Sequence, residues 1–168
     1  LVVLEAIEQL EAESIDITVT IMGEGDLKEH CLRFAAEKHG GIEVRFLNAV
    51  DYGKDFFSII AQHDWLLVPT LKQEQPRIIF DAFSQGVPVI GSDTSGVLDI
   101  TSKHNALTFE TGNPSSLADR IRHAARHPEL ALEMGLAGLD YATGKTHLQM
   151  HQVREEFLKS SLTPSASP

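Results

Sequence analysis

A single cysteine, Cys31, stands in the sequence, which excludes an internal disulfide framework and fits a reducing cytosol. Positive charge is scarce as well: 14 Lys and Arg face 24 Asp and Glu, for a formal net charge of −10. A surface this acidic argues against nucleic acid and anionic membrane as partners, because phosphate contacts need clustered Lys and Arg. No apolar run approaches the length of a membrane span, and no basic-then-apolar signal segment opens the chain. There is also no initiating Met. The sequence begins at Leu1, already inside an amphipathic pattern, and reads as a piece of a longer protein. What is present is ordinary: 168 residues, 42% hydrophobic, enough to bury the core of one domain.

Period and punctuation divide that domain into alternating elements. Leu1, Leu4, Ile7 and Leu10 fall at helical spacing, and residues 15–22 form a β-branched run that stops at Gly23. A helical pattern over 26–39, with Leu27, Cys31, Phe34 and Ala35 on one face, ends at Gly40-Gly41. The spacing then predicts a strand over 43–47, a helix over 55–62, a strand over 65–69, a helix over 77–85 and a strand over 87–91. A last short strand is expected over 106–109. Asn113-Pro114 marks a helix start, with Asn as N-cap and Pro as first helical residue. From 115 to about 159 the pattern is helical, broken near His127-Pro128 and Thr143-Gly144; residues 161–168 lack apolar side chains to bury and read as a disordered tail. Strands separated by helices imply an α/β, Rossmann-like parallel sheet with helices on both faces.

In such sheets ligands bind beyond the carboxyl ends of the strands, where loops lead into helices. That rule selects residues 23–26, 48–51, 70–76 and 92–96. The loop "GEGD" has two glycines that permit close backbone approach, but Glu24 and Asp26 repel a phosphate and a third glycine is absent. By itself it reads as a tight turn. The stretch "QEQPRIIFD" (residues 73–81) offers more. Pro76 suits a first helical position, leaving the N–H groups of Arg77, Ile78 and Ile79 open above the sheet. Arg77 adds a planar cation suited to a diphosphate, and Asp81, leaning back toward the helix start, could accept two hydrogen bonds from a vicinal diol such as ribose. The same two residues, at i and i+4, equally suit a surface salt bridge.

Two histidine pairs at i, i+4, His123 with His127 and His147 with His151, have no Cys, Asp or Glu partner at recognisable spacing, so no metal site is expected. His127 sits near a helix end, where the dipole favours it. Cys31 lies on an apolar helix face and reads as core rather than as a nucleophile.

The motifs also follow a known order. "LVVLEAIEQL", "ITVTIMGEGDLKEHCLRFAAEKHGGIEVRFLNAV", "DWLLVPTLKQEQPRIIFDAFSQGVPVIGSDTSGVLDI" and "NALTFETGNPSSLADRI" together resemble the C-terminal, donor-nucleotide-binding half of GT-B glycosyltransferases, in the large retaining group called family 4. The resemblance spans about residues 1–145; a C-terminal helix over 146–160 and the tail follow it. It implies a metal-independent enzyme without cofactor, whose donor substrate is a nucleotide-diphosphate sugar. Donor contacts would come from Gly23 and Gly25, from Asn48, Ala49 and Val50 at the nucleobase, and from Thr70. Gln75, Pro76, Arg77 and Ile78 would face phosphates and sugar, and Asp81 the ribose.

That group carries two glutamates separated by seven residues, and ungapped alignment puts the second at Asp81 and the first at Gln73. Both positions depart from the pattern. Asp81 keeps the charge on a shorter arm, Gln73 loses it, and Glu74 holds a carboxylate one residue later. Gln73 and Glu74 are thus the two candidates at the sugar. The group's diphosphate-binding Arg and Lys, its first strand and its acceptor-binding N-terminal domain all precede the point where this sequence starts. The expectation is therefore a cytoplasmic retaining transferase, this chain being the donor-binding half, inactive alone and partnered by the N-terminal half. The alternatives are a non-catalytic nucleotide-sugar-binding or assembly module of the same fold, and an epimerase or hydrolase of the same architecture.

Overall fold

A computed structural model describes residues 1–13, 15–145 and 147–162, with the side chains of residues 147, 148 and 160–162 outside the description. Helix α1 (Val2–Leu10) buries Leu4, Ala6, Ile7 and Leu10, the stripe its spacing predicts, while Leu1 lies exposed ahead of it. Strand β1 (Ile17–Met22), helix α2 (Lys28–Ala35), strand β2 (Ile42–Leu47) and helix α3 (Lys54–Ile60) follow. Next come β3 (Leu66–Val68), α4 (Ile78–Ser84), β4 (Val89–Ser92), α5 (Ser95–Leu98) and β5 (Ala106–Phe109). Helices α6 (Pro114–Arg126), α7 (Glu129–Thr143) and α8 (His147–Leu162) complete the order.

Every strand pairing is parallel, but the pairs form two sheets, β1-β2 and β3-β4-β5, where one sheet was expected. A side-chain contact, His63 Nε2 to Thr20 Oγ1 at 2.8 Å, links the region just after α3 to β1. Alternation along the strands feeds two helical layers, because successive strand side chains point to opposite faces. Ile90 and Phe109 join α1, α2 and α6 in one core, with β1 and β2. Their strand neighbours Val89 and Ala106 join α3, α4 and α5 in the other, against which Tyr141 and Ala142 of α7 pack. The parallel α/β architecture follows from that two-sided burial.

The boundaries differ from expectation mainly at helix ends. Helix α2 is eight residues rather than fourteen: Leu27 is exposed, and Phe34 is the buried residue that fixes the helix, with Cys31 packed partly against the core. The loop over 92–96 leads into the short helix α5 (Ser95–Leu98), which no apolar period announces. Asn113 does cap α6, its side chain accepting from Ser116 N at 3.1 Å, with Pro114 as first helical residue. Helix α8 runs through Leu162, so the expected tail is shorter at its start; residues 163–168 lie outside the described residues.

One buried polar cluster gives the fold a pH dependence. The His39 ring stacks on Phe34 (4.0 Å, 16°), with Nδ1 2.5 Å from Glu11 Oε1 and Nε2 2.8 Å from the Phe34 carbonyl. Both partners are acceptors, so both contacts are hydrogen bonds only when the ring carries two protons. Burial opposes that charge, but the Phe34 carbonyl, the Glu11 hydrogen bond and the charges of Glu11 and Glu37 outweigh it, and the pKa is raised. A raised folded-state pKa means stability complete below the unfolded value of about 6.5 and lost as pH rises through the folded one. Thermal melts across that window should therefore fall with pH for the parent and stay flatter for His39→Gln. Equal slopes would refute the assignment.

Candidate functional site

Within each sheet the strands run parallel, so their carboxyl ends open onto neighbouring loops, which hydrogen bonds join laterally. Gly23 N donates to Leu47 O at 3.2 Å, tying the end of β1 to that of β2. Ser92 Oγ donates to Thr70 O at 2.7 Å, tying β4 to the loop after β3. Asp93 Oδ1 accepts from Thr111 Oγ1 (2.6 Å) and Thr111 N (2.8 Å), bonds that hold its carboxyl below the usual carboxylate range. Gly23 and Gly25 have φ of 155° and 150°, backbone that side-chain-bearing residues rarely adopt. Beside them Lys28 Nζ contacts both Glu24 oxygens at 2.9 Å, offsetting the charge that would repel an anion there.

Asn48, Ala49 and Val50 are exposed on the loop after β2, where residues 49–55 line an open depression of about 450 Å³. The loop's next aromatic reaches across to α4: Tyr52 Oη donates to Asp81 Oδ1 at 2.8 Å. Asp81, over residues 77–81 of the helix start, thus meets the 48–52 loop in space, as a shared ligand site requires. Arg77 and Asp81 form no ion pair; of the two readings weighed for them, the salt bridge is not made. Arg77 is exposed at the N-terminal edge of α4, which begins at Ile78 after Pro76 and Gln75. The Asp81 hydrogen bond raises the Tyr52 pKa, with some burial and the Asp81 charge adding and Arg77 opposing. Arg77 therefore stands close enough to act on this group electrostatically.

The two sugar-site candidates have different surroundings. Gln73 turns toward α5, its Oε1 accepting from Ser95 N at 3.0 Å and Ser95 Oγ at 2.8 Å. Glu74 points to solvent with its side chain 73% exposed, its carboxylate 3.5 Å from Lys72 Nζ. Such an exposed pair contributes little to stability and leaves the carboxylate free to rearrange. The sequence reading missed Tyr52 and Ser95. Tyr52, one of two tyrosines, had a usable signal: a large aromatic in a loop beyond a strand end. Ser95 had none.

Among the described residues no three His, Cys, Asp or Glu side chains are grouped to hold a metal. His123 and His127 pack their rings at 4.7 Å, and His127 Nδ1 lies 3.1 Å from Glu129 Oε1; His147 falls among the undescribed side chains. No helix among the described residues is long and apolar enough to cross a membrane.

A family model described as glycosyl transferases group 1 matches residues 1–127. The chain belongs to that family. Solved glycosyltransferase structures share its fold. Anabaena Alr3699/HepE in complex with UDP superposes with a TM-score of 0.75 at 16% identity, covering 95% of this chain and 44% of that one. Sucrose-phosphate synthase from Thermosynechococcus elongatus gives 0.62 at 16% identity, covering 93% and 49%. TarM gives 0.74 at 17% identity, covering 95% and 32%. Among curated proteins no sequence match is found. The chain thus spans less than half the length of the solved structures it resembles, and its parallel α/β architecture is that of GT-B glycosyltransferases.

Proposed function

We propose that this group 1 domain binds the nucleotide-sugar donor of a retaining, metal-independent glycosyltransferase of family 4, as the C-terminal half of a GT-B protein acting in the cytoplasm. The observation that carries the reading is the hydrogen bond from Tyr52, on the loop after β2, to Asp81 of α4, the helix whose N-cap is Arg77. The nucleobase rests against Asn48, Ala49 and Val50. Asp81 accepts the ribose diol, and Arg77 with the start of α4 faces the diphosphate, stabilising it as it leaves. Gly23, Gly25, Thr70, Gln75, Pro76 and Ile78 complete the donor contacts. Structures of Alr3699/HepE in complex with UDP, and in complex with UDP-glucose, support a nucleotide sugar as ligand. Glu74 supplies the exposed carboxylate at the sugar, and Gln73 holds the loop that presents it.

The unpaired sides of β1 and β3 support a further part of the same reading: the first strand of the donor-binding domain enters between them and completes one sheet, and the N-terminal half packs beyond it. Catalysis then requires that half, which supplies the acceptor and the remaining diphosphate contacts. A second reading, a nucleotide-sugar-binding module without catalysis, is favoured by the uncharged Gln73 and its commitment to Ser95.

Calorimetric titration of the complete protein with UDP, GDP and ADP tests the site. One of the three should bind, and Asp81→Asn should weaken it about tenfold, as loss of a charge-assisted pair of hydrogen bonds requires. Absence of binding by all three overturns the donor-site reading. A sugar-transfer assay separates the transferase from the binding module, with Glu74→Ala reducing turnover more than affinity in the former.

A further inference from the structure

Asp81 already has an internal hydrogen-bond donor. Its Oδ1 accepts the Tyr52 hydroxyl at 2.8 Å, and Tyr52 is also part of the wall of the depression beside Ala49 and Val50. Tyr52 as a residue is 71% exposed, and its ring rests against Phe56 and Phe57 at 5.3 Å each, tilted at 37° on one and edge-on at 70° to the other. No backbone regularity pins it, since it lies between β2 and α3. It has the form of a side chain seated by two aromatic contacts at its base and one hydrogen bond at its tip.

A carboxylate binds a vicinal diol best with both oxygens available, one for each hydroxyl. A phenol hydroxyl on Oδ1 takes one of those places with the same chemistry, an O–H donating to a carboxylate. We propose that Tyr52 is a specificity-determining cover for the donor site: its hydroxyl stands in for a ribose hydroxyl on Asp81, and a ribonucleotide binds by displacing it. The inference rests on Asp81 as the ribose acceptor. It adds that the ligand must outcompete an internal donor. A nucleotide able to offer Asp81 two hydroxyls does so; one that offers none leaves Tyr52 in place.

The hydrogen bond that must be broken is exposed, so its removal should show as a modest gain. Tyr52→Phe keeps the ring and its contacts with Phe56 and Phe57 and deletes only the hydroxyl. Calorimetry on the complete protein should give UDP binding about threefold tighter for Tyr52→Phe than for the parent, the scale of one solvent-exposed hydrogen bond to a charged group. The gain should vanish in an Asp81→Asn background and with 2′,3′-dideoxyuridine diphosphate, two readouts that a merely structural role would not move. Tyr52→Phe binding UDP equally or more weakly, or gaining equally with the dideoxy analogue, overturns the cover while leaving the donor site standing. If neither parent nor Tyr52→Phe binds UDP, GDP or ADP, the donor-site reading fails and the cover with it.

Discussion

Replacing Phe83 by alanine is expected to cost about 3–5 kcal/mol of folding stability, the range for deleting a fully buried aromatic ring. Phe83 on α4 is completely buried and meets Tyr141 of α7 edge-on, with centroids 6.0 Å apart and rings at 78°. Helix α7 makes room for it with Gly138, where a Cβ would lie 2.6 Å from Phe83 Cδ1. The ring and the missing side chain are two halves of one packing solution, so the site has little freedom to collapse around a cavity. Urea or thermal unfolding of Phe83→Ala measures the loss, which corresponds to a melting temperature lower by roughly 10 °C for a domain of this size. A cost below about 1 kcal/mol, outside the range for a buried ring, would show that α7 does not depend on this contact. Gly138→Ala should also destabilise, and less so in a Phe83→Leu background, because the shorter side chain relieves the overlap.

Gly96→Ala should damage the candidate site as well as the fold. Gly96 lies in α5, and a Cβ there would stand 2.3 Å from Glu74 O, 2.4 Å from Glu74 C and 2.5 Å from Gln73 O. These are backbone atoms, so no rotamer change relieves the overlap. The 73–74 loop must withdraw by roughly an ångström to regain van der Waals distance. Overpacking of this kind costs about 1–3 kcal/mol. It also pulls Gln73 off Ser95 N and Oγ, and with it the loop that carries Glu74. A misplacement of about 1 Å can also cost roughly a hundredfold in rate. Calorimetry should show donor affinity reduced at least about tenfold, with a drop of several degrees in melting temperature. A variant that binds donor like the parent would mean that Gln73 and Glu74 do not need this backbone position.

Much of the architecture was legible before any coordinates. The stripe on α1, the β-branched runs of β1 and β2 and the Asn113-Pro114 start of α6 each depend on residues a few positions apart. Local periodicity and capping encode such features directly. The order of the strand-end loops 23–26, 48–51, 70–76 and 92–96 followed from the alternation, and two of them meet where Gln73 accepts from Ser95. Helix α2 was overextended for a related reason. Leu27 continues its apolar period, but the first turn faces solvent, and period alone does not say whether anything packs against it.

Sequence by itself therefore determined the parallel α/β class and, α5 apart, the element order. Only tertiary structure decided what each loop side chain does. Asp81 stood equally near Arg77 in sequence, yet its hydrogen bond comes from Tyr52, 29 positions away. Gln73 and Glu74 differ by one residue, and the Ser95 amide, 22 positions from Gln73, separates the anchored one from the solvent-facing one. Nor does alternation say where parallel strands will fail to pair, as β1 and β3 do here. The reason is physical: short-range propensity fixes how a segment is shaped, whereas partners across loops are chosen by strand order and packing, which bring distant residues within hydrogen-bond reach.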